Sequence, residues 1–317
     1  MDNSSYKPLQ YRQIAEPARE IINYMDKRRK GNITSLNTRW RKFNDQCMGG
    51  IEPNSIYTIA GISGSGKSAF ANSLETDLFD LNPKQDFVVL SFNFEMLASK
   101  QVGRKLSYKM SKTTQELYSG ITNYRLSDTD YNRAVEEAKK LKDYPIYYVD
   151  TPGTVQQIRN TIVDFSKTVA QGKWMIIMLD HTLLTRGRHG EKEREILAEL
   201  QYMFMEMKKY GKNTIIQLSQ MNREIEAKER IAVNTMHFPV RRDIFGGDSV
   251  FQASDYLIVL HRPEMLNISS YGPEGWPVKD LIYMHFLKVR EGNPSILVFK
   301  NNLKYNKIED HNLQNQR

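Results

Sequence analysis

Residues 61–68 read Gly-Ile-Ser-Gly-Ser-Gly-Lys-Ser and fit the spacing G-x-x-x-x-G-K-[ST], with Gly61, Gly66, Lys67 and Ser68 in the fixed places. That spacing is built for phosphate. Small residues let backbone N–H groups curl around phosphate oxygens, so Gly61, Ser63, Gly64, Ser65, Gly66 and Ala69 are candidate contacts to a nucleoside triphosphate. Lys67 would reach the β- and γ-phosphates, and the Ser68 hydroxyl would ligate Mg2+.

Two carboxylates belong to the same chemistry. Asp180 ends the apolar run Met175-Ile176-Ile177-Met178-Leu179, which places it beside the phosphate loop in a parallel sheet, where it would hold magnesium through water or Ser68. Glu95 follows the strand-like run 87–92 and has two readings from the residues alone, a base for the attacking water or an ordinary helix-start carboxylate. Asp150-Thr151-Pro152-Gly153 also matches the D-x-x-G switch of GTPases. A base-reading N-K-x-D element does not accompany it: Asn306-Lys307-Ile308-Glu309 is a near miss after the last strand, so a GTPase is not expected.

These residues need a scaffold. Residues 56–60, 87–92, 146–149, 175–179 and 214–218 read as strands, alternating with helical stretches at 69–81, 99–110, 155–170 and 193–210. Thr154 and Gln157 form a capping-box pattern, and Ile196, Leu200, Met203 and Met207 make one apolar stripe. Three more strand-like runs, 256–260, 282–287 and 296–299, come without long helices between them. The expected fold is α/β, with a mostly parallel central sheet flanked by helices and an antiparallel C-terminal extension. Ahead of it, Pro17, Ala18, Ile21, Ile22 and Met25 follow helical spacing up to Gly31, in a helix that packs on its own domain or on a neighbour.

With 317 residues, 40% of them hydrophobic, the chain can bury one large core. It shows no apolar run of membrane-spanning length and no secretory signal, and its single Cys47 forms no internal disulfide, so a cytoplasmic protein with no membrane partner is expected. A net charge of +8 suits a polyanionic partner.

Several segments, in order, resemble the RecA-like ATPase domain of DnaB-type replicative helicases from about Ile33 to Asp310. They are ITSLNTRWRKFNDQCMGGIEPNSIYTIAG, GISGSGKS, FNFEM, YVDTPGT, LDHTLLT, QLSQMNREIE, FGGDSVFQASDYLIVLHRPE and FLKVREGNP. The resemblance implies a RecA-like P-loop fold over 33–310, a tail and linker helix over 1–32 that docks on the adjacent subunit, and a C-terminal tail over 311–317. It implies ATP as the nucleotide, Glu95 as the catalytic glutamate, and Asp180 as the magnesium aspartate, with His181 where the family usually has tyrosine. Gln220 would sense the γ-phosphate, and Lys288 and Arg290 would enter the neighbouring subunit's site, which requires a ring, expected to be a hexamer.

In such a ring, the segments after the Asp180 and Gln220 strands would face the channel. Arg186, Arg188, Lys192 and Arg194 in the first, and Arg223, Lys228, Arg230, Arg241 and Arg242 in the second, are then candidate contacts to single-stranded DNA. Phe245 stands where the family commonly has an arginine. The residues before Ile33 are too few for the family's N-terminal helical domain, and primase or loader contacts that depend on that domain are not implied. The activity expected is ATP-dependent 5′ to 3′ unwinding by translocation on single-stranded DNA. The alternatives are a RecA-like ATP-gated DNA-binding or recombination-mediator protein, and a helicase loader or adaptor.

Overall fold

The computed structural model describes residues 10–32, 34–180, 182, 185, 187, 191–233 and 236–311. His181, Arg186 and Arg188 lie outside the described residues. The chain divides into two units, Met1–Ser35 and Leu36–Arg317. The first carries α1 (Ala15–Arg29), with Glu16 in its first turn and Lys27, Arg28 and Arg29 in its last, the charge order that a helix dipole favours.

The second unit runs α2 (Arg41–Gln46), β1 (Ile56–Gly61), α3 (Lys67–Leu81), β2 (Phe87–Asn93), α4 (Ala98–Met110), α5 (Thr114–Tyr118), α6 (Asp128–Leu141) and β3 (Ile146–Val149). It continues with α7 (Val155–Phe165), β4 (Trp174–Asp180), α8 (Glu193–Met207), β5 (Asn213–Gln220), α9 (Lys228–Ile231), α10 (Gly247–Ala253) and β6 (Tyr256–His261). β7 (Leu281–Val289), β8 (Ser295–Asn302) and β9 (Lys307–Asp310) close the chain. The nine strands form one sheet in the order β3-β2-β4-β5-β1-β6-β7-β8-β9. Pairings from β3 to β6 are parallel, and those from β6 to β9 are antiparallel.

The central strands are buried on both faces, as parallel strands between helical layers must be. Ala60, Leu90, Ile177 and Ile215 pack with α7, α8 and α10 on one face, while Ile59, Val89, Ile176 and Ile216 pack with α2 and α3 on the other. The α8 stripe holds, with Leu200, Met203 and Met207 buried, and the Thr154–Gln157 capping box starts α7. Residues 166–170 leave the α-helix as a short π turn. Helix α6 carries no buried residue, which is why apolar spacing does not mark it.

Helix α3 is buried along its length from Ala69 to Leu78. Trp40 stacks on Phe70 at 4.4 Å and donates from Nε1 to the Ile308 carbonyl at 2.8 Å, so both ends of the sheet domain's chain hold the helix that follows the phosphate loop. Truncating Phe70 to alanine would cost about 3–5 kcal/mol. The polar residues of α3 are committed internally: Glu75 pairs with the buried Lys105 at 2.6 Å and Asp77 with Arg39 at 2.7 Å. Among the described residues, no helix is long and apolar enough to cross a membrane.

Candidate functional site

Parallel strands deliver their C-terminal ends to one edge of a sheet, and ligands of open α/β sheets bind there. At that edge β1 ends in Gly61 and the chain turns into α3 through Gly64 at φ +75° and Gly66 at φ +103°, left-handed positions that side-chain-bearing residues rarely adopt. Gly61 has no room for a side chain: a Cβ there would lie 2.3 Å from Ser65 Oγ and 2.7 Å from the Leu260 carbonyl. Lys67 Nζ spans the loop, donating to the carbonyls of Gly61 at 2.8 Å and Ile62 at 3.0 Å.

A cleft of about 360 Å3 opens over this loop. Ser63, Gly64, Gly66, Lys67, Ser68 and Ala69 line it from the loop and α3, Glu95 from beyond β2, Asp180 from β4 and Gln220 from β5. Five side chains selected by motif or by family position, Lys67, Ser68, Glu95, Asp180 and Gln220, thus share one cavity. Gly61 and Ser65 shape the turn from beneath, and the buried Ser65 Oγ is left without a hydrogen-bond partner.

Asp180 is not next to the phosphate-loop strand, because β5 runs between β1 and β4. Its carboxylate still lines the cavity, since the parallel register brings Leu179 level with Gln217 and Ala60 level with Ser219. Burial pushes its carboxyl up to about 6, helped by Glu95; Arg104 opposes the rise, Glu75 adds to it and Lys67 opposes it. The Lys67 ammonium is pushed down to about 8 by burial, against the pull of Asp180 and Glu95.

Four lining residues have no role that the motifs assign. Arg104 comes from α4, Arg262 from just beyond β6, and Leu303 and Asn306 from the turn between β8 and β9. Glu95 to Arg104 spans nine positions over a strand-to-helix corner, and only the tertiary fold brings the others in. Asp150 lies beyond β3, the edge strand farthest from β1 on that side, where it accepts a bond from Ala98 N. The D-x-x-G match therefore sits well away from the phosphate loop, with β2, β4 and β5 between its strand and β1.

Lys288 and Arg290 line no part of this cleft. They do not project outward together as alternation along a strand suggests: Lys288 Nζ turns back to the carbonyls of Phe251 and Gln252 at 2.7 and 3.2 Å, at the end of α10. Arg290 is half-exposed and paired with Asp255.

Among the candidate DNA cations, Lys192, Arg194, Arg223, Lys228 and Arg242 are solvent-accessible. Arg241 is exposed but paired with Asp248 at 2.6 Å and laid over Phe251. Arg230 is the correction. Its guanidinium is buried against Asp243 through two bonds, Nη1–Oδ1 at 2.6 Å and Nη2–Oδ2 at 2.9 Å, and it holds the carbonyls of Met236 and Phe238 besides. Its charge is consumed inside the segment and is not offered to a phosphate. Phe245, in turn, packs against the main core, and its N–H donates to the Gln220 carbonyl at 3.1 Å.

Comparison with known proteins gives a consistent answer. The family described as DnaB-like helicase C terminal domain matches residues 35–310. The chain is 24% identical over 237 residues to the replicative DNA helicase DnaB of Leifsonia xyli subsp. xyli (strain CTCB07), covering 74% of this chain and 48% of that protein. It is 27% identical over 240 residues to the replicative DNA helicase DnaB of Buchnera aphidicola subsp. Baizongia pistaciae (strain Bp), with the same shares covered. It spans about half the length of these curated relatives. In fold it is similar to an ATPase domain of known structure, at a TM-score of 0.79 and 17% identity over 96% of this chain and 100% of that one. It is also similar to a DnaB-like replicative helicase described with its interactions with primase, at a TM-score of 0.77 and 18% identity over 96% of this chain and 69% of that one.

Proposed function

This chain belongs to the DnaB-like helicase C-terminal domain family, and on that premise we propose that it hydrolyses ATP with Mg2+ to translocate 5′ to 3′ on single-stranded DNA and unwind duplex. One observation carries the proposal: Lys67, Ser68, Glu95, Asp180 and Gln220, from four separate elements, converge on a single cleft. The residues suit the groups invoked. A Cβ-free cradle at Gly61 admits backbone approach to phosphate, and the Ser68 hydroxyl with the Asp180 carboxylate is an all-oxygen donor pair of the kind Mg2+ takes. When bound, the ion would neutralise phosphate charge.

The chain's own residues then divide the work. Lys67 carries the charge opposed to the phosphates. Glu95, exposed in the cleft mouth, orients water for in-line attack and accepts its proton. Gln220, at the end of β5, opens directly into the segment carrying Arg223, Lys228 and Arg242, so the γ-phosphate end of the cleft and the proposed DNA contacts share one strand. Lys288 and Arg290 act in the neighbouring subunit's cleft, in a ring that we take to be hexameric, and α1 docks on that neighbour. The replicative helicase of like fold is described with primase, and a primase or loader is the protein partner to test. The setting is the cytoplasm.

Strand displacement on forked DNA is the deciding experiment. Release of the labelled strand with ATP from a fork with a free 5′ arm, none with a 3′ arm alone, and none for Lys67→Ala is the expected pattern. Hydrolysis stimulated by DNA without displacement would replace the helicase with an ATP-gated DNA-binding protein.

A further inference from the structure

The segment 221–246, which carries the proposed DNA contacts, is tied to the phosphate loop by a second route that does not pass through Gln220. It starts from how the segment is held together. Met221 bridges Ile244, Asn222 N donates to the Asp243 carbonyl at 2.6 Å, and the Arg230–Asp243 clasp closes the segment on itself. The same guanidinium grips the carbonyls of Met236 and Phe238, on either side of His237. His237 is thereby fixed, fully buried, pointing at β6.

Hydrogen-bond accounting settles the protons. The Ile225 carbonyl, 2.8 Å from His237 Nε2, can only accept, so Nε2 bears the hydrogen and the neutral ring's Nδ1 is an acceptor. His261 Nε2, 3.0 Å away, must then donate to it, which leaves His261 Nδ1 as a buried acceptor with no partner. The next residue, Arg262, donates from Nη1 to the Gly64 carbonyl of the phosphate loop at 2.9 Å and from Nη2 to Glu264 at 2.9 Å. Its Nε is likewise buried without a partner. Two consecutive residues thus face opposite ways from one joint, His261 toward His237 of the segment and Arg262 toward Gly64 of the phosphate loop.

We propose that His237, His261 and Arg262 are positioning residues that couple DNA occupancy of the 221–246 segment to the phosphate loop at Gly64. The inference rests on the helicase reading above. A segment clasped into one body moves as one body, so strain on its exposed cations reaches His237. From there it passes to the end of β6, and through the Arg262 guanidinium to a left-handed glycine of the phosphate loop. Spatial continuity alone does not establish coupling; a change in the coupling free energy does, and it is reciprocal between the two ligands.

The test compares wild type with His237→Phe, which fills the same space without hydrogen bonds, and His237→Gln, which keeps one donor and one acceptor. The readouts are DNA-free kcat, KM for ATP, and the stimulation of kcat by saturating oligo(dT), in rings checked by size and circular dichroism. His237→Phe is expected to lose stimulation by about fivefold or more, the lower end of usual allosteric couplings. DNA-free kcat and KM should stay unchanged, and His237→Gln should recover most of the stimulation. Should His237→Phe fail to fold, Arg262→Lys tests the joint from the other end. There, the ratio of oligo(dT) affinities with and without a non-hydrolysable ATP analogue should shrink by a comparable factor. Undiminished stimulation in folded His237→Phe, an equal loss with and without DNA, or an unchanged affinity ratio in Arg262→Lys overturns the proposal. Wild-type rings whose turnover ignores oligo(dT) would instead overturn the helicase reading, and the coupling with it.

Discussion

The Arg290 guanidinium is tied to Asp255, Nε to Oδ1 at 2.5 Å, at the edge of the sheet opposite the phosphate loop. Asp255 fixes the location: its Oδ2 accepts from the N–H of Ile56, the first residue of β1, at 2.8 Å, and from Lys208 at 2.7 Å. Gly61 lies at the other end of that strand, roughly 17 Å away for five steps of extended chain. Arg290 cannot serve the cleft of its own subunit.

Any catalytic role for it must therefore be in trans. Arg290→Ala is expected to leave folding intact, because the side chain is half-exposed, and to cost about 10³ or more in rate if it acts as a finger. Mixing it with Glu95→Gln subunits should restore partial hydrolysis where an intact Glu95 cleft meets an intact Arg290. ATPase measured on rings shown to contain both subunits checks this; failure of every mixture would remove Arg290 from catalysis.

Glu95→Gln alone should keep ATP binding, measured with a fluorescent analogue, while hydrolysis falls by about 10²–10⁴ as expected for loss of a general base. Undiminished turnover would reduce Glu95 to a structural carboxylate.

The pH dependence of kcat/KM reports free-enzyme groups. If Asp180 holds the metal and Lys67 meets phosphate as proposed, Asp180, raised to about 6, must be ionised and Lys67, lowered to about 8, must stay protonated. A bell with an ascending limb near 6 and a descending limb near 8 is expected. Lys67→Arg, if active, should lose the alkaline limb and keep the acid one.

Accessible and buried cations of the 221–246 segment should behave oppositely. Neutralising Arg223, Lys228 and Arg242 should flatten the salt dependence of single-strand binding by roughly 0.7 for each phosphate no longer engaged, with folding unchanged. Arg230→Ala should instead lower stability by about 3–5 kcal/mol, since it strands a buried Asp243. Salt titrations and denaturant melts separate the two.

Acid should weaken the fold through three buried histidines. His237, His261 and His285 are all held below the usual histidine range by burial, His285 down to about 3. Their folded values lie below the unfolded value of about 6.5, so the unfolded chain takes up protons first and stability is lost as pH falls below that value, at about 1.4 kcal/mol per pH unit for each group. Asp77 and Asp180, both raised to about 6, act with the opposite sign and offset part of the loss at lower pH. Denaturant melts should show stability starting to fall as pH drops through about 6.5 and continuing downward below it, and His285→Gln should make that fall shallower.

Much of this was legible in the residues because the phosphate loop fixes its own surroundings. Once Gly61 to Ser68 defines a strand, a turn and a helix, the carboxylates ending other apolar runs have one edge on which to meet. What stayed hidden depends on distance in sequence. Arg262, Leu303 and Asn306 reach the cleft only because β6 pairs with β1 and the chain returns through β8 and β9. Arg230 carries no local mark that distinguishes it from Arg223 or Arg242; its burial follows from Asp243, thirteen positions on. The position of β5 between β1 and β4 is likewise a property of the whole sheet, and no single strand declares it.

The nine-stranded sheet is open, and its two outermost strands, β3 and β9, are only four residues long. Long bare edges invite continuation into another copy, whereas short ones, and charged ones such as Lys307, Glu309 and Asp310, discourage it. A sheet that ends in this way offers no long backbone edge to a second copy, so any assembly of this chain would have to be held by side-chain contacts, which can part and re-form without unpicking a sheet.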